Sequence, residues 1–348
     1  MKRRLAMIAG MIAVLLTLLS APAQACGCGA YIPREGTANV AEERAVLRWD
    51  GTTEEIVMQF GVQGSSSEAA WIMPVPAPAS VKLGDARIFD ALQEWTKPRV
   101  QRRLDWTFLG AGQGDATGGV VPGGVSVLER QTVGLFDVAT LAATDASALD
   151  GWLDSNGFQF PQGMDEALRP YVDQGWYYVA VRLAPDAGDA ALGGELDPLW
   201  IAFPSTELIY PMRLSARARA GLGVYLYILA DHRVEGIALP SSLHVQFADW
   251  IEPQALPAGS PIATLVDRRL FLTKIGGYIS QPSRDITGDF AFRFAASDET
   301  YHQVVEEMVP VGSYFLFGLC VLVLFGVPLV LIAATVQRWW VHRRRWAA

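Results

Sequence analysis

Cysteine is nearly absent: Cys26, Cys28 and Cys320 are the only three in 348 residues. A small scaffold stapled by disulfides is therefore excluded, and the chain must hold itself with its own core. Charge is sparse as well. Charged residues make up 18% and hydrophobic residues 51%, a composition opposite to that of a disordered chain. Catalytic signatures are missing: there is no G-x-S-x-G elbow, no H-E-x-x-H pair and no Walker loop. Gly110, Gly112 and Gly114 lack the spacing and the strand-to-helix context of a dinucleotide site. Residues 110–124 hold seven glycines in fifteen positions, so this stretch reads as a flexible linker and the best internal boundary. No alternation of strand and crossover helix supports a Rossmann-like fold.

What is present sits first at the two ends. Lys2, Arg3 and Arg4 precede an uncharged apolar stretch from Leu5 to Leu19, and Ala23-Gln24-Ala25 forms an A-x-A site. This pattern predicts a signal peptide over residues 1–25, cleaved before Cys26. At the other end no charge occurs between Glu307 and Arg338. Residues 311–336 would extend about 39 Å as a helix, enough to span a bilayer with some tilt. Pro328 lies inside that span, where a kink is tolerated. Arg338, Arg343, Arg344 and Arg345 follow it, so the 337–348 tail is expected in the cytoplasm and the main domain outside. Setting aside the three basic residues at the start and the four arginines at the end lowers the net charge from −8 to −15. An acidic external domain repels nucleic acid, and outside the cell there is little nucleotide to bind. The expected partners are the membrane and an envelope protein, with no cofactor.

Between these ends the pattern is β-rich. Residues 44–49 and 54–62 read as a hairpin around Asp50-Gly51. Residues 69–73 read as a third strand, ended by Pro74-Val75-Pro76-Ala77-Pro78. Ile88, Phe89, Leu92 and Trp95 share one face of a helix over 85–96. Further helices are expected over 145–156 and 164–172. Strands are expected over 125–138, 176–183, 199–203, 224–230, 243–247, 270–274 and 290–294, and residues 296–310 read as a polar stalk. Many strands and few helices predict an α+β fold of mostly antiparallel sheet over residues 26–295.

Candidate chemistry is thin. Asp231 and His232 sit at a strand end, an acid–base position whose plainer reading is a surface turn with local ion pairing. His244 and His302 lie in separate segments, and His342 falls in the tail. Asp186, Asp189, Glu195 and Asp197 crowd one loop but match no calcium-loop spacing, so a solvated acidic loop is expected and no metal site. Trp71, Trp176 and Trp200 are read as core rather than as a sugar-stacking surface. Cys26 and Cys28 admit three readings. Lipidation of Cys26 would favour a larger apolar residue where Ala23 stands. A thiolate metal site would need further ligands that are not nearby. An oxidised pair suits an external compartment, and the reading taken is a Cys26–Cys28 disulfide that pins the N-terminus locally.

Several of these segments occur together in one known family. A Cys-Gly after the signal peptide, Glu43-Arg44 leading a strand, Trp71-Ile72-Met73-Pro74-Val75-Pro76 and Gly84-Asp85 come in that order. Phe89-Asp90-Ala91-Leu92 and Thr96-Lys97-Pro98-Arg99 follow. Downstream stand Trp152-Leu153, Asn156-Gly157-Phe158, Gly175-Trp176, Tyr210-Pro211-Met212-Arg213-Leu214-Ser215 and Ala230-Asp231-His232. In this the chain resembles the bacterial DUF2330 family over most of residues 26–295, with Trp71, Pro74 and Pro76 in the most specific segment. The resemblance implies an exported, often membrane-anchored protein. It implies no activity and no catalytic residues.

Overall fold

The structure, a computed structural model, describes residues 29–35, 38–64, 66–105, 136–142, 146–161, 163–183, 194–218, 220–310 and 320–345. In chain order the first elements are β1 (Ala30–Pro33), β2 (Ala38–Trp49), β3 (Thr53–Gly64), β4 (Ala69–Val75), β5 (Ser80–Leu83), α1 (Arg87–Trp95) and β6 (Arg99–Asp105). They continue with β7 (Phe136–Ala142), α2 (Ala146–Ser155), α3 (Met164–Asp173), β8 (Tyr177–Leu183), β9 (Gly194–Glu195), β10 (Leu199–Pro204) and β11 (Leu208–Tyr210). Then come β12 (Leu222–Ala230), β13 (Val234–Ile237), β14 (His244–Ile251), β15 (Leu270–Ile279), α4 (Pro282–Asp285), β16 (Phe290–Phe294), β17 (Tyr301–His302), β18 (Val304–Pro310) and α5 (Val327–Arg345).

The predicted hairpin forms as β2 and β3, with Trp49 opposite Glu54. Gly51 takes a left-handed φ of 91° at the turn. The Asp50 carboxylate accepts the backbone N–H groups of Thr52 and Thr53 at 3.0 and 2.8 Å, closing the loop. This pair is the middle of a nine-stranded sheet, ordered β17-β14-β15-β12-β2-β3-β10-β5 with β9 paired to β3. Most of its pairs are antiparallel, but β12 runs parallel to β2. A second sheet, β1-β4-β8-β7, and a third, β11-β16-β13, complete this unit. The class is α+β with mostly antiparallel sheet, as the sequence predicts.

Period-2 patterning decides what each face does. The inner face of the nine-stranded sheet supplies Ala45, Leu47, Ile56, Met58, Leu226 and Ile228 to one core, against Trp71, Met73, Val179 and Val181 of the second sheet. The other face of the second sheet buries Ile72, Tyr178 and Ala180 against α2, α3 and Trp176. The outer face of the nine-stranded sheet buries Val46, Val57, Tyr227 and Leu229 against Ile88, Phe89 and Leu92 of α1. Because β4 lies between two cores, all seven of its residues are buried.

Here the structure differs from the sequence reading. Pro74 does not end the strand; it lies within β4, opposite Tyr178. On its other side β1 pairs with β4 only from Ala69 to Ile72, so no ladder partner is described there for the missing N–H to lose. The reading of 296–310 as a stalk also needs refinement. Tyr301–His302 joins the nine-stranded sheet through β14, and Val304–Pro310 forms a parallel pair with β6.

That pair and the C-terminal helix form a separate unit. Cross-strand ion pairs Arg102–Glu307 (2.9 Å) and Arg103–Glu306 (3.3 Å) line the ribbon. The helix is apolar from Leu322, and the stretch Leu322–Trp340 is long and apolar enough to cross a membrane, with none of it buried. Leu322–Gly326 is a π turn directly before Pro328. A proline lacks an N–H and presses on the carbonyl four residues back, and a widened turn accommodates both effects. Cys320, a free thiol at the start of this helix, is exposed.

Candidate functional site

The outer face of the nine-stranded sheet changes character along its length. Under α1 it is apolar. Further along, the same parity of residues brings Gln59 of β3, Arg44 of β2 and Tyr225 of β12 into one row, with Arg44 opposite Gln59 and Tyr225 opposite both Arg44 and Gly276. A Cβ at position 276 would stand 2.6 Å from Cδ1 of Tyr225, so only glycine leaves room for that ring. One step back, Lys274 lies opposite Tyr227.

Lys274 is 8% exposed. It is the only buried cation among the described residues. Its Nζ lies 5.3 Å from the Tyr227 ring centroid and 6.0 Å from that of Tyr225. Such contacts offset only part of the loss of water around an ammonium. Among the described residues no carboxylate pairs with it. Burial, and next the positive charge of Arg44, lower its pKa to about 8. Burial pushes Tyr227 up to about 12. Tyr225 is raised by burial and then by Glu42, so both phenols stay protonated at neutral pH.

Arg44 is committed elsewhere. Its Nε donates to Glu42 Oε1 at 2.6 Å and its Nη2 to Glu195 Oε1 at 2.8 Å. A bulge in β2 between Val40 and Glu42 re-aims the chain here. The two-residue strand β9 delivers Glu195 to the end of β3. Beside them opens a cavity of about 300 Å³, lined by Glu42, Arg44, Gln59, Gln63 and Glu195 among others.

The inner face treats its buried charges differently. Glu43 accepts a hydrogen bond from the Tyr210 hydroxyl, and Glu54 Oε2 accepts the N–H of Ile209 at 3.3 Å. Burial holds the Glu54 carboxyl well above the usual carboxylate range. Together these acids fasten β11 to the sheet. Part of the Tyr210-Pro211-Met212-Arg213-Leu214-Ser215 segment is thereby explained as structure. Arg213 continues it, donating its N–H to Asp289 at 2.9 Å.

The sequence candidates fall apart spatially. His232 Nδ1 meets Asp298 Oδ2 at 2.9 Å at the surface, while Asp231 turns to Arg268 at 2.8 Å. Neighbours in sequence, they serve different ion pairs. His302 pairs with Asp249 at 2.9 Å, and His244 is exposed on β14. Glu195 leaves the acidic loop to join Arg44, while Asp186 and Asp189 lie outside the described residues. Trp71 and Trp176 are core. Trp200 is half-buried, donating Nε1–H to Glu55 at 2.9 Å beneath Lys82, whose Nζ is 3.9 Å from the ring centroid. Cys26, Cys28, the signal segment and the 110–124 loop lie outside the described residues. Lys274 was not singled out from sequence. The expected strand ended at that residue, so the lysine looked terminal. The signal was its parity with Leu270 and Leu272, which puts it on a face that is buried.

No curated protein matches the chain. Among solved structures, the crystal structure of baculovirus P35 aligns over 76% of this chain and 99% of its own length, at 13% identity and a TM-score of 0.38. The family described as "Uncharacterized protein conserved in bacteria (DUF2330)" matches residues 22–293, which include Glu43-Arg44, the Trp71–Pro76 segment and the Tyr210–Ser215 segment. The chain therefore belongs to the DUF2330 family of bacterial proteins.

Proposed function

We propose that this chain is an exported, single-pass membrane protein whose β-rich domain works outside the cytoplasm as an envelope-associated interaction module, without catalysis. The carrying observation is the C-terminal helix. Leu322, Leu324, Phe325, Leu329, Val330, Leu331 and Ile332 are each more than 60% exposed. A water-soluble helix buries an apolar face; this one presents apolar side chains all round, which suits lipid. The proposed division is a signal peptide at 1–25, an external domain at 26–295, a connecting segment at 296–310, a span at 311–336 and a cytoplasmic tail at 337–348.

The alternative of a surface hydrolase built on Asp231 and His232 has no geometric support, because the two side chains are committed to separate partners. A carbonate wash of isolated membranes tests the anchor. The chain should stay in the pellet, and recovery of intact chain in the supernatant would refute the reading.

A further inference from the structure

Lys274 combines features that structural lysines rarely share. It is buried, it points into a sheet face rather than snorkelling to water, and it lacks a carboxylate partner among the described residues. The acids that line the adjacent cavity are already used. Glu42 and Glu195 are both held by Arg44, which itself adds positive potential at Lys274. Next to it stands a second donor. The Tyr225 hydroxyl makes no hydrogen bond among the described residues, and the ring is only half-buried. The two glycines Gly223 and Gly276 keep the strip around it free of bulk.

We propose that Lys274 and the Tyr225 hydroxyl form a binding site for a single carboxylate group, placed along the sheet row that Arg44 shares with the adjacent cavity. A carboxylate offers two acceptor oxygens to two donors on neighbouring strands. The Lys274 ammonium has no carboxylate against it among the described residues, while Glu42, Glu195, Arg44 and Lys274 together already sum to zero, so the smallest negative charge is the best match. A phosphate dianion would leave excess negative charge beside Glu42 and Glu195, so the singly charged group is favoured. The rest of a ligand would find hydrogen-bonding amides at Gln59 and Gln63 in the cavity wall. The domain's acidity gives no long-range attraction for anions, so recognition rests on these local donors.

Binding must then depend on pH through Lys274. The other titratable or charged groups around it are Glu42 and Arg44 on β2, Tyr225 and Tyr227 on β12, His244 and Asp249 on β14, and His302 on β17. Of the two acids, Glu42 is held by Arg44 and Asp249 by His302.

The test uses the full chain in detergent micelles with 13C at the lysine ε carbons. The mature chain has three lysines, Lys82, Lys97 and Lys274, so two serve as internal references. Each is titrated by NMR in chloride and in acetate at equal ionic strength. Acetate should raise the Lys274 midpoint by about half a unit or more and leave the references unmoved. Tyr225→Phe should reduce that rise, and above the midpoint acetate affinity should fall about tenfold per pH unit. Two short peptides, one with a free C-terminal carboxylate and one amidated, separate the sources. Preference for the free form at Lys274 assigns a chain terminus, and response to acetate alone assigns a small carboxylate. An identical Lys274 midpoint in chloride, acetate and both peptides overturns the proposal, as does a shift shared equally by Lys82 and Lys97. Lys274→Met, checked for folding by circular dichroism, should abolish the peptide's effect on Tyr225. Persistence of that effect in folded Lys274→Met would also overturn it.

Discussion

Two apolar stretches of this chain meet opposite fates. Strand β4, Ala-Ala-Trp-Ile-Met-Pro-Val, is seven residues long and buried at every position. The C-terminal stretch Leu322–Trp340 is nineteen residues long and buried at none. Hydropathy alone does not separate them. Length and surroundings do: the short run is sandwiched between two cores, whereas the long one has no polar face to turn to water and no cover among the described residues. The same apolar chemistry closes a domain in one place and in the other builds a helix long and apolar enough to cross a membrane.

The sharpest way to break this comparison is to truncate one residue in each stretch. Trp71 is fully buried, with its ring 5.4 Å from Phe60. Trp71→Ala should cost about 3–5 kcal/mol in chemical denaturation of the β domain. Leu331→Ala, in the exposed helix, should leave the same transition unmoved. Equal losses would mean that the helix is part of the domain's core.

A buried charge without a partner should behave in the opposite sense. Folding lowers the Lys274 pKa from 10.5 to about 8, so between those values the folded chain binds fewer protons than the unfolded one. The penalty is full below about pH 8 and disappears as the pH passes 10.5. Lys274→Met should therefore stabilise the domain at neutral pH, on the order of 3 kcal/mol, and the gain should fade toward pH 10.5. A pH-independent difference would show that the lysine is not strained by burial.

Glu54 should respond with the reverse pH dependence. Burial raises its pKa above the usual glutamate value of 4.5, so wild-type stability declines as the pH climbs from there. Glu54→Gln keeps the shape and the acceptor for Ile209. It should be close to neutral near pH 4.5 and gain roughly 1–2 kcal/mol at neutral pH, measured by urea unfolding at both values. The smallest effect belongs to His232→Ala, which removes a surface ion pair with Asp298 and should change stability by at most about 0.5 kcal/mol.

Much of the fold was legible in the sequence, for definite reasons. Asp50-Gly51 marks the hairpin because its turn needs a left-handed residue, and Ile88, Phe89 and Leu92 mark α1 because they share one buried face. Trp71 was read as core, and it is. What escaped depends on partners that no local pattern reveals. Pro74 fits inside β4 because the described pairing on one flank stops at Ile72. The parallel pairing of β2 with β12 joins strands far apart in sequence. The Lys274–Arg44–Tyr225 group is assembled from three strands, and each residue alone looks ordinary.

Topology tests the central claim most directly. The full chain, carrying a C-terminal tag, is expressed in bacteria, and protease is added to cells with the outer face of the cytoplasmic membrane accessible. The account predicts digestion of the β domain and survival of a short membrane-bound fragment that keeps its tag. Loss of the tag with the domain intact, or a tagged chain that washes off the membrane, would contradict it.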